Sequence, residues 1–95
     1  MFAAFVTFDV KSESVDAFLP LMKKQAEASL QNEPECKIFE IWIDEKNPTR
    51  VQLYEVYSAP EDFDLHLASD HFKNFDKAVS PMILDKTITT FGWKL

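Results

Sequence analysis

The run Phe2 to Val10, FAAFVTFDV, constrains the fold more than any other segment. It is short and rich in aromatic and β-branched residues, as strands are. Side chains on a strand point alternately to its two faces, and here both sets, Phe2/Ala4/Val6/Phe8 and Ala3/Phe5/Thr7, are mostly apolar. A strand apolar on both faces needs a cover on both.

From Ser12 the period changes. Val15, Phe18, Leu19, Met22, Ala26 and Leu30 recur at three and four, with Lys23, Lys24 and Glu27 elsewhere, which predicts an amphipathic helix capped by Ser12 or Ser14. Pro20 removes a backbone donor, so the helix either kinks there or starts late enough to hold Pro20 in its first turn. It should end before Glu33-Pro34. Lys37 to Ile43 and Val51 to Tyr57 are strand-like runs separated by DEKNPTR, whose Asn47-Pro48 signals the turn of an antiparallel hairpin. In the second run Val51, Leu53, Glu55 and Tyr57 share one face, which sets a carboxylate among apolar neighbours. After Ala59-Pro60, Glu61 to Val79 reads as helix with Phe63, Leu67, Phe72, Phe75 and Val79 as core positions, and Ser69 is placed to cap a second segment. Leu84 to Trp93 closes the chain as a strand, with Gly92 as a bulge or kink near its end.

The order β-α-β-β-α-α-β with short connections predicts one α+β domain over 1–95, a ferredoxin-like sandwich with an antiparallel sheet and helices on one face. The uncovered face carries apolar residues from the first two strands, so a homodimer packed sheet on sheet is the expected cover.

Composition narrows the function. Gly92 is the single glycine, which removes phosphate-cradling loops and the dinucleotide fingerprint, both of which need several. Ten basic residues against sixteen acidic ones give a net charge of −6, with Arg50 the only arginine, so no nucleic-acid partner is expected. The lone Cys36 forms no intrachain disulfide, and one cysteine with two histidines makes no structural zinc cluster. The N-terminal run lacks a preceding basic stretch and reaches Asp9 too early for a signal peptide, and no apolar stretch approaches ~20 residues, so the expected setting is cytoplasmic, without a membrane span.

The reactive inventory is small. His66 and His71 lie five apart, about 140° round a continuous helix, and so do not share a face as a metal-binding pair would; no metal is expected. Asp62, His66 and Asp70 fall at spacings of four, which reads either as a carboxylate-oriented imidazole or as a solvated stripe. Glu55 needs a partner, His66 or a tyrosine, or a lysine, or else an edge position in water. Tyr54 and Tyr57 can orient a ligand or simply pack.

The segments Glu33-Pro34-Glu35-Cys36, FEIWIDEKNPTR, Tyr54-Glu55-Val56-Tyr57 and Phe63-Asp64-Leu65-His66-Leu67-Ala68-Ser69-Asp70-His71-Phe72 together resemble the antibiotic biosynthesis monooxygenase family, over essentially the whole chain in element order. The resemblance implies a dimeric α+β barrel with a pocket in each subunit between sheet and helices, and an activity among cofactor-independent oxidation of quinols or phenols, haem breakdown, and isomerisation of a phosphorylated autoinducer-2 derivative. The chain departs from the family in four places. Glu35 stands where glycine is frequent. The iron-ligating histidine of the haem-degrading branch would fall at Asp76. A pocket-facing His or Asn on the first helix is replaced by the neighbourhood Gln25-Ala26. For a phosphorylated substrate the chain offers only Arg50 and scattered lysines.

What the resemblance implies for this chain is a monooxygenase that oxidises a small electron-rich aromatic with dioxygen and no cofactor. His66 is then the base, Glu55 orients it or binds a substrate hydroxyl, and His71 is the second candidate base. Tyr57, Trp42, Phe63, Phe72 and Tyr54 line the substrate pocket. The alternatives are an isomerase of a phosphorylated dicarbonyl and a non-catalytic ligand-binding domain.

Overall fold

A computed structural model describes residues 1–95. The chain forms β1 (Phe2–Val10), α1 (Val15–Asn32), β2 (Cys36–Ile43), β3 (Arg50–Tyr57), α2 (Pro60–Ala68), α3 (Asp70–Val79) and β4 (Ile83–Phe91). Short 3-10 turns, Ser12–Ser14 and Ser80–Met82, lead into α1 and β4. The four strands make one sheet in the order β2-β3-β1-β4, with every neighbouring pair antiparallel. This is the α+β ferredoxin-like arrangement that the element order predicts.

Register decides which side chains face the helices. Val6 pairs with Leu53 on one side and Ile88 on the other, and Ala4 pairs with Glu55, so Ala4, Val6, Phe8, Leu53, Glu55, Lys86 and Ile88 share the helix-covered face. A β-bulge between Cys36 and Ile38 turns Phe39 to the same face, opposite Glu55. The core forms there, with Phe18 and Met22 of α1, Phe63 of α2, and Phe75 and Val79 of α3 packed on the sheet. Phe18 stands at its centre, 5.3 Å from the Phe8 ring and 6.4 Å from Phe75.

Three local expectations change. First, α1 starts at Val15, which puts Pro20 in the second turn, where its missing N–H leaves the Asp16 carbonyl without an intrahelical donor. Second, Leu30 is exposed, and Gln25 and Ser29 are buried on the inner face instead. The Ser29 hydroxyl is satisfied by the Gln25 carbonyl at 2.9 Å. Ser14 occupies the N-cap position of α1 without making a side-chain cap bond. Third, Gly92 lies just beyond β4, and the irregularity of that strand pair falls at Asp9/Val10 instead.

The opposite face of the sheet carries no helix. Phe5 stacks on Tyr54 at 5.1 Å and meets Phe91 edge-on at 5.7 Å. Ile38 and Val56 lie beside them, and Trp42 is 59% exposed. No helix is long and apolar enough to cross a membrane.

Candidate functional site

A cavity opens between the helix-covered face of the sheet and all three helices. Its floor is Val6, Phe8, Phe39, Leu53 and Glu55, and its wall includes Gln25, Phe63, His66, Phe72 and Lys86. The free volume is about 20 Å³, room for a water molecule. Drug-sized ligands take several hundred Å³. Leu67, Phe72, Lys86 and Ile88 are the half-buried or exposed members of the lining and form its rim.

Two ionisable side chains are buried in this apolar shell, Glu55 and His66, each 2% exposed. The Tyr57 hydroxyl donates to Glu55 Oε1 at 2.6 Å. Two residues apart on one strand, they point the same way, as strand alternation requires. His66 Nε2 lies 3.9 Å from the same Glu55 oxygen. Phe39, Tyr57, Phe63 and Phe72 all lie within about 6 Å of the His66 ring, centroid to centroid.

Burial sets the protonation states. Desolvation raises the Glu55 carboxyl to about 7, against the lowering effect of the Tyr57 hydrogen bond. Desolvation also lowers His66, outweighing the pull of Glu33, so the imidazole is neutral at physiological pH. The Tyr57 phenol is pushed far up by burial and by the adjacent Glu55 charge, and serves as a donor only. Burial lifts the Cys36 thiol to about 11, so it stays protonated and inert, with its Sγ 3.7 Å from the Ile38 carbonyl.

His66 is oriented from behind by Glu33, whose Oε2 lies 2.9 Å from Nδ1. A carboxylate only accepts, so neutral His66 carries its proton on Nδ1 and turns the Nε2 lone pair toward the cavity. Glu33 reaches this position as the residue that ends α1. Its backbone N–H bonds to the Ser29 carbonyl at 3.0 Å, and Pro34 follows. The same Oε2 lies 2.7 Å from His71 Nε2.

His71 stands beside His66 because the helix breaks between them. Ser69 is extended and caps α3, accepting from the Phe72 N–H at 3.3 Å and donating to the His66 carbonyl at 2.7 Å. The break brings the two imidazoles to 5.8 Å, centroid to centroid. The separation of these rings expected for a continuous helix is therefore corrected by the cap that also splits α2 from α3. The atoms Glu33 Oε2, His66 and His71 are the one set of three side-chain donors close enough to hold a metal ion, all within 4.8 Å of one another.

Glu55, His66, Phe63 and Phe72 meet at the cavity, and Tyr57 touches it through Glu55. His71 sits behind Glu33 and borders a separate cleft between α1 and α3, so it does not face the cavity as a second base would. Tyr54 and Trp42 correct the pocket assignment: strand alternation puts both on the open face, where Tyr54 packs on Phe5 and the Trp42 indole N–H donates to Glu40 at 3.0 Å. Asp62 and Asp70 are not the partners of His66. Sequence reasoning missed Glu33, whose neighbour Pro34 marks it as a helix stop. It also missed Lys86, and it named Gln25 only as standing near a pocket-facing position of the family, without giving it a part in the site; both are polar residues at core-facing positions. Lys86 Nζ lies 5.5 Å from the ring centroids of both Phe8 and Phe72 and is the one cation on the cavity wall.

The family model for antibiotic biosynthesis monooxygenases matches residues 1–78. Among solved structures, a Nitrosomonas europaea protein provisionally described as an antibiotic biosynthesis monooxygenase is 25% identical, with a TM-score of 0.94 and 100% of each chain covered. A conserved protein of Methanosarcina mazei Go1 is 26% identical, with a TM-score of 0.91 over 98% of this chain and 92% of that one. A Caulobacter crescentus protein with the same provisional description shares the fold at 18% identity, with a TM-score of 0.94 over 99% of this chain and 90% of that one. No curated protein matches the chain.

Proposed function

Because the chain belongs to the antibiotic biosynthesis monooxygenase family, we propose that it is a cofactor-independent monooxygenase acting on a small electron-rich phenol or hydroquinone. The observation that carries this reading is the Glu55–His66 pair at 3.9 Å inside a small, mostly apolar cavity. Neutral His66, held by Glu33, presents its Nε2 lone pair to a substrate hydroxyl and takes the proton. The resulting phenolate is electron-rich enough to reduce dioxygen directly. One oxygen atom enters the ring as a carbonyl and the other leaves as water, and the ring supplies all four electrons, so the balance needs no outside reductant.

Each remaining group has a part in this scheme. Glu55 donates to a substrate oxygen while it is protonated, at or below about pH 7, and as the carboxylate above that pH it receives the proton held by His66. Lys86 supplies a positive charge against the phenolate across Phe8 and Phe72. The apolar shell keeps water from the reactive anion. Entry requires the rim of Leu67, Phe72, Lys86 and Ile88 to move.

The working unit proposed is a homodimer joined through the open sheet face. The Phe5–Tyr54–Phe91 cluster supports this reading, together with exposed Trp42. Lys86 favours a second reading, an isomerase of a phosphorylated dicarbonyl, since a phosphate would also seek the one cation on the wall. Isotope labelling separates the two. Under 18O2 the oxygenase places one labelled atom in its product, whereas an isomerase turns over equally without oxygen and incorporates none.

A further inference from the structure

We propose that Glu33, His66 and His71 form a binding site for a divalent transition-metal ion, zinc being the best fit, and that loading this site switches off His66 as a base. Two imidazoles and one carboxylate are a donor set for zinc, cobalt or nickel, and not for magnesium or calcium, which take oxygen ligands. The three side chains come from the end of α1, from α2 and from α3, so the fold brings them together before any ion arrives.

The ligand atoms are already gathered at one point: Glu33 Oε2 lies 2.9 Å from His66 Nδ1 and 2.7 Å from His71 Nε2, and all three lie within 4.8 Å of one another. On the far side of its ring, His71 Nδ1 lies 3.3 Å from the Gln25 side-chain amide. A metal ion that displaces the protons shared with Glu33 takes its three donors here after small side-chain shifts. Each ring then keeps a carboxylate or amide oxygen for its other N–H: Gln25 Oε1 for His71 and Glu55 Oε1 for His66. Such outer partners usually accompany metal-bound histidines.

Access and charge agree with the assignment. Glu33 lines a surface cleft of about 230 Å³ with Glu35 and Asp62, an acidic approach for a cation. His71 lines the larger cleft, about 280 Å³, between α1 and α3.

The switch follows from the tautomers. Without metal, His66 holds its proton on Nδ1 and offers Nε2 to the cavity. With metal on Nδ1 the proton sits on Nε2, directed at Glu55, and no lone pair faces the substrate. This consequence rests on the reading of His66 as base; the binding of the ion does not.

Chelator-treated protein is titrated with Zn2+ by calorimetry and with Co2+ by visible absorption. The expected result is one ion per chain, ligand-field bands of a four- or five-coordinate cobalt, and a raised melting temperature. In Glu33→Gln and His71→Ala, checked for folding by circular dichroism, affinity falls by at least about tenfold. Glu13→Gln and Glu27→Gln, exposed carboxylates away from the site, leave it unchanged. Absence of stoichiometric binding, or equal affinity in Glu33→Gln and His71→Ala, overturns the site. If zinc binds but turnover of hydroquinones in the chelated protein persists at the same rate after zinc is added, the switch is overturned. If zinc binds but the chelated protein oxidises no substrate, the oxygenase reading fails and the site stands.

Discussion

The Tyr57 hydroxyl donates to Glu55 Oε1 at 2.6 Å from two residues along the same strand, with both side chains buried. The bond holds a carboxyl group in an apolar cavity and opposes part of the rise that burial imposes on it. Removing the hydroxyl in Tyr57→Phe therefore raises the Glu55 titration midpoint above about 7, as read by carboxyl carbon NMR. It also leaves a buried oxygen without its donor, at a cost of about 1–3 kcal/mol in urea unfolding.

Glu55 makes stability fall as pH rises. Its folded pKa, about 7, lies above the ordinary 4.5, so between these values the unfolded chain releases the proton first and ionisation favours unfolding. The group's contribution is full below about pH 4.5, declines to about pH 7 and is flat above. Glu55→Gln keeps an acceptor for Tyr57 and cannot ionise. In chelator, the variant gains roughly 2–3 kcal/mol relative to wild type between pH 4.5 and 8, measured by urea unfolding across that range. A constant difference between the two proteins contradicts the assigned shift.

Ser69 controls how α2 meets α3. In Ser69→Ala the Phe72 N–H and the His66 carbonyl both lose a side-chain partner. The expected loss is about 1 kcal/mol of stability, with faster amide hydrogen exchange at the start of α3.

Most of the fold could be read from periodicity. The two-sided β1, the hairpin turn at Asn47-Pro48 and the Ser69 cap are local signals, and the element order they punctuate points to the ferredoxin-like class, while the strand order β2-β3-β1-β4 comes from the structure. The site was only half legible. Glu55 among Val51, Leu53 and Tyr57 announces itself by alternation, whereas His66 stood in a stripe with Asp62 and Asp70 that reads equally as solvated, and only the family resemblance singled it out. Glu33 did not announce itself, because its role comes from where α1 happens to end against α2, a tertiary fact. The meeting of His66 with His71 could not be seen while the helix was taken as continuous. Tyr54 and Trp42 are chemically suited to a pocket but fall on the wrong parity of their strands.

The open sheet face carries a prediction of its own. Phe5 is packed between Tyr54 and Phe91 and has no helix above it. Phe5→Asp places a charge at the centre of the proposed interface. Wild type is expected to scatter light as a dimer at micromolar concentration and the variant as a monomer with unchanged circular dichroism. A monomeric wild type refutes the assembly.

Oxygen consumption by the chelated protein with a panel of hydroquinones and naphthols tests the central claim most directly. With a suitable substrate, wild type takes up one dioxygen per quinone formed, above the uncatalysed rate. His66→Ala, still a dimer, falls by at least about tenfold. Equal uptake in His66→Ala, or quenching of tryptophan fluorescence by the same compounds with no oxygen uptake, contradicts the assignment of His66 as the base of an oxygenase.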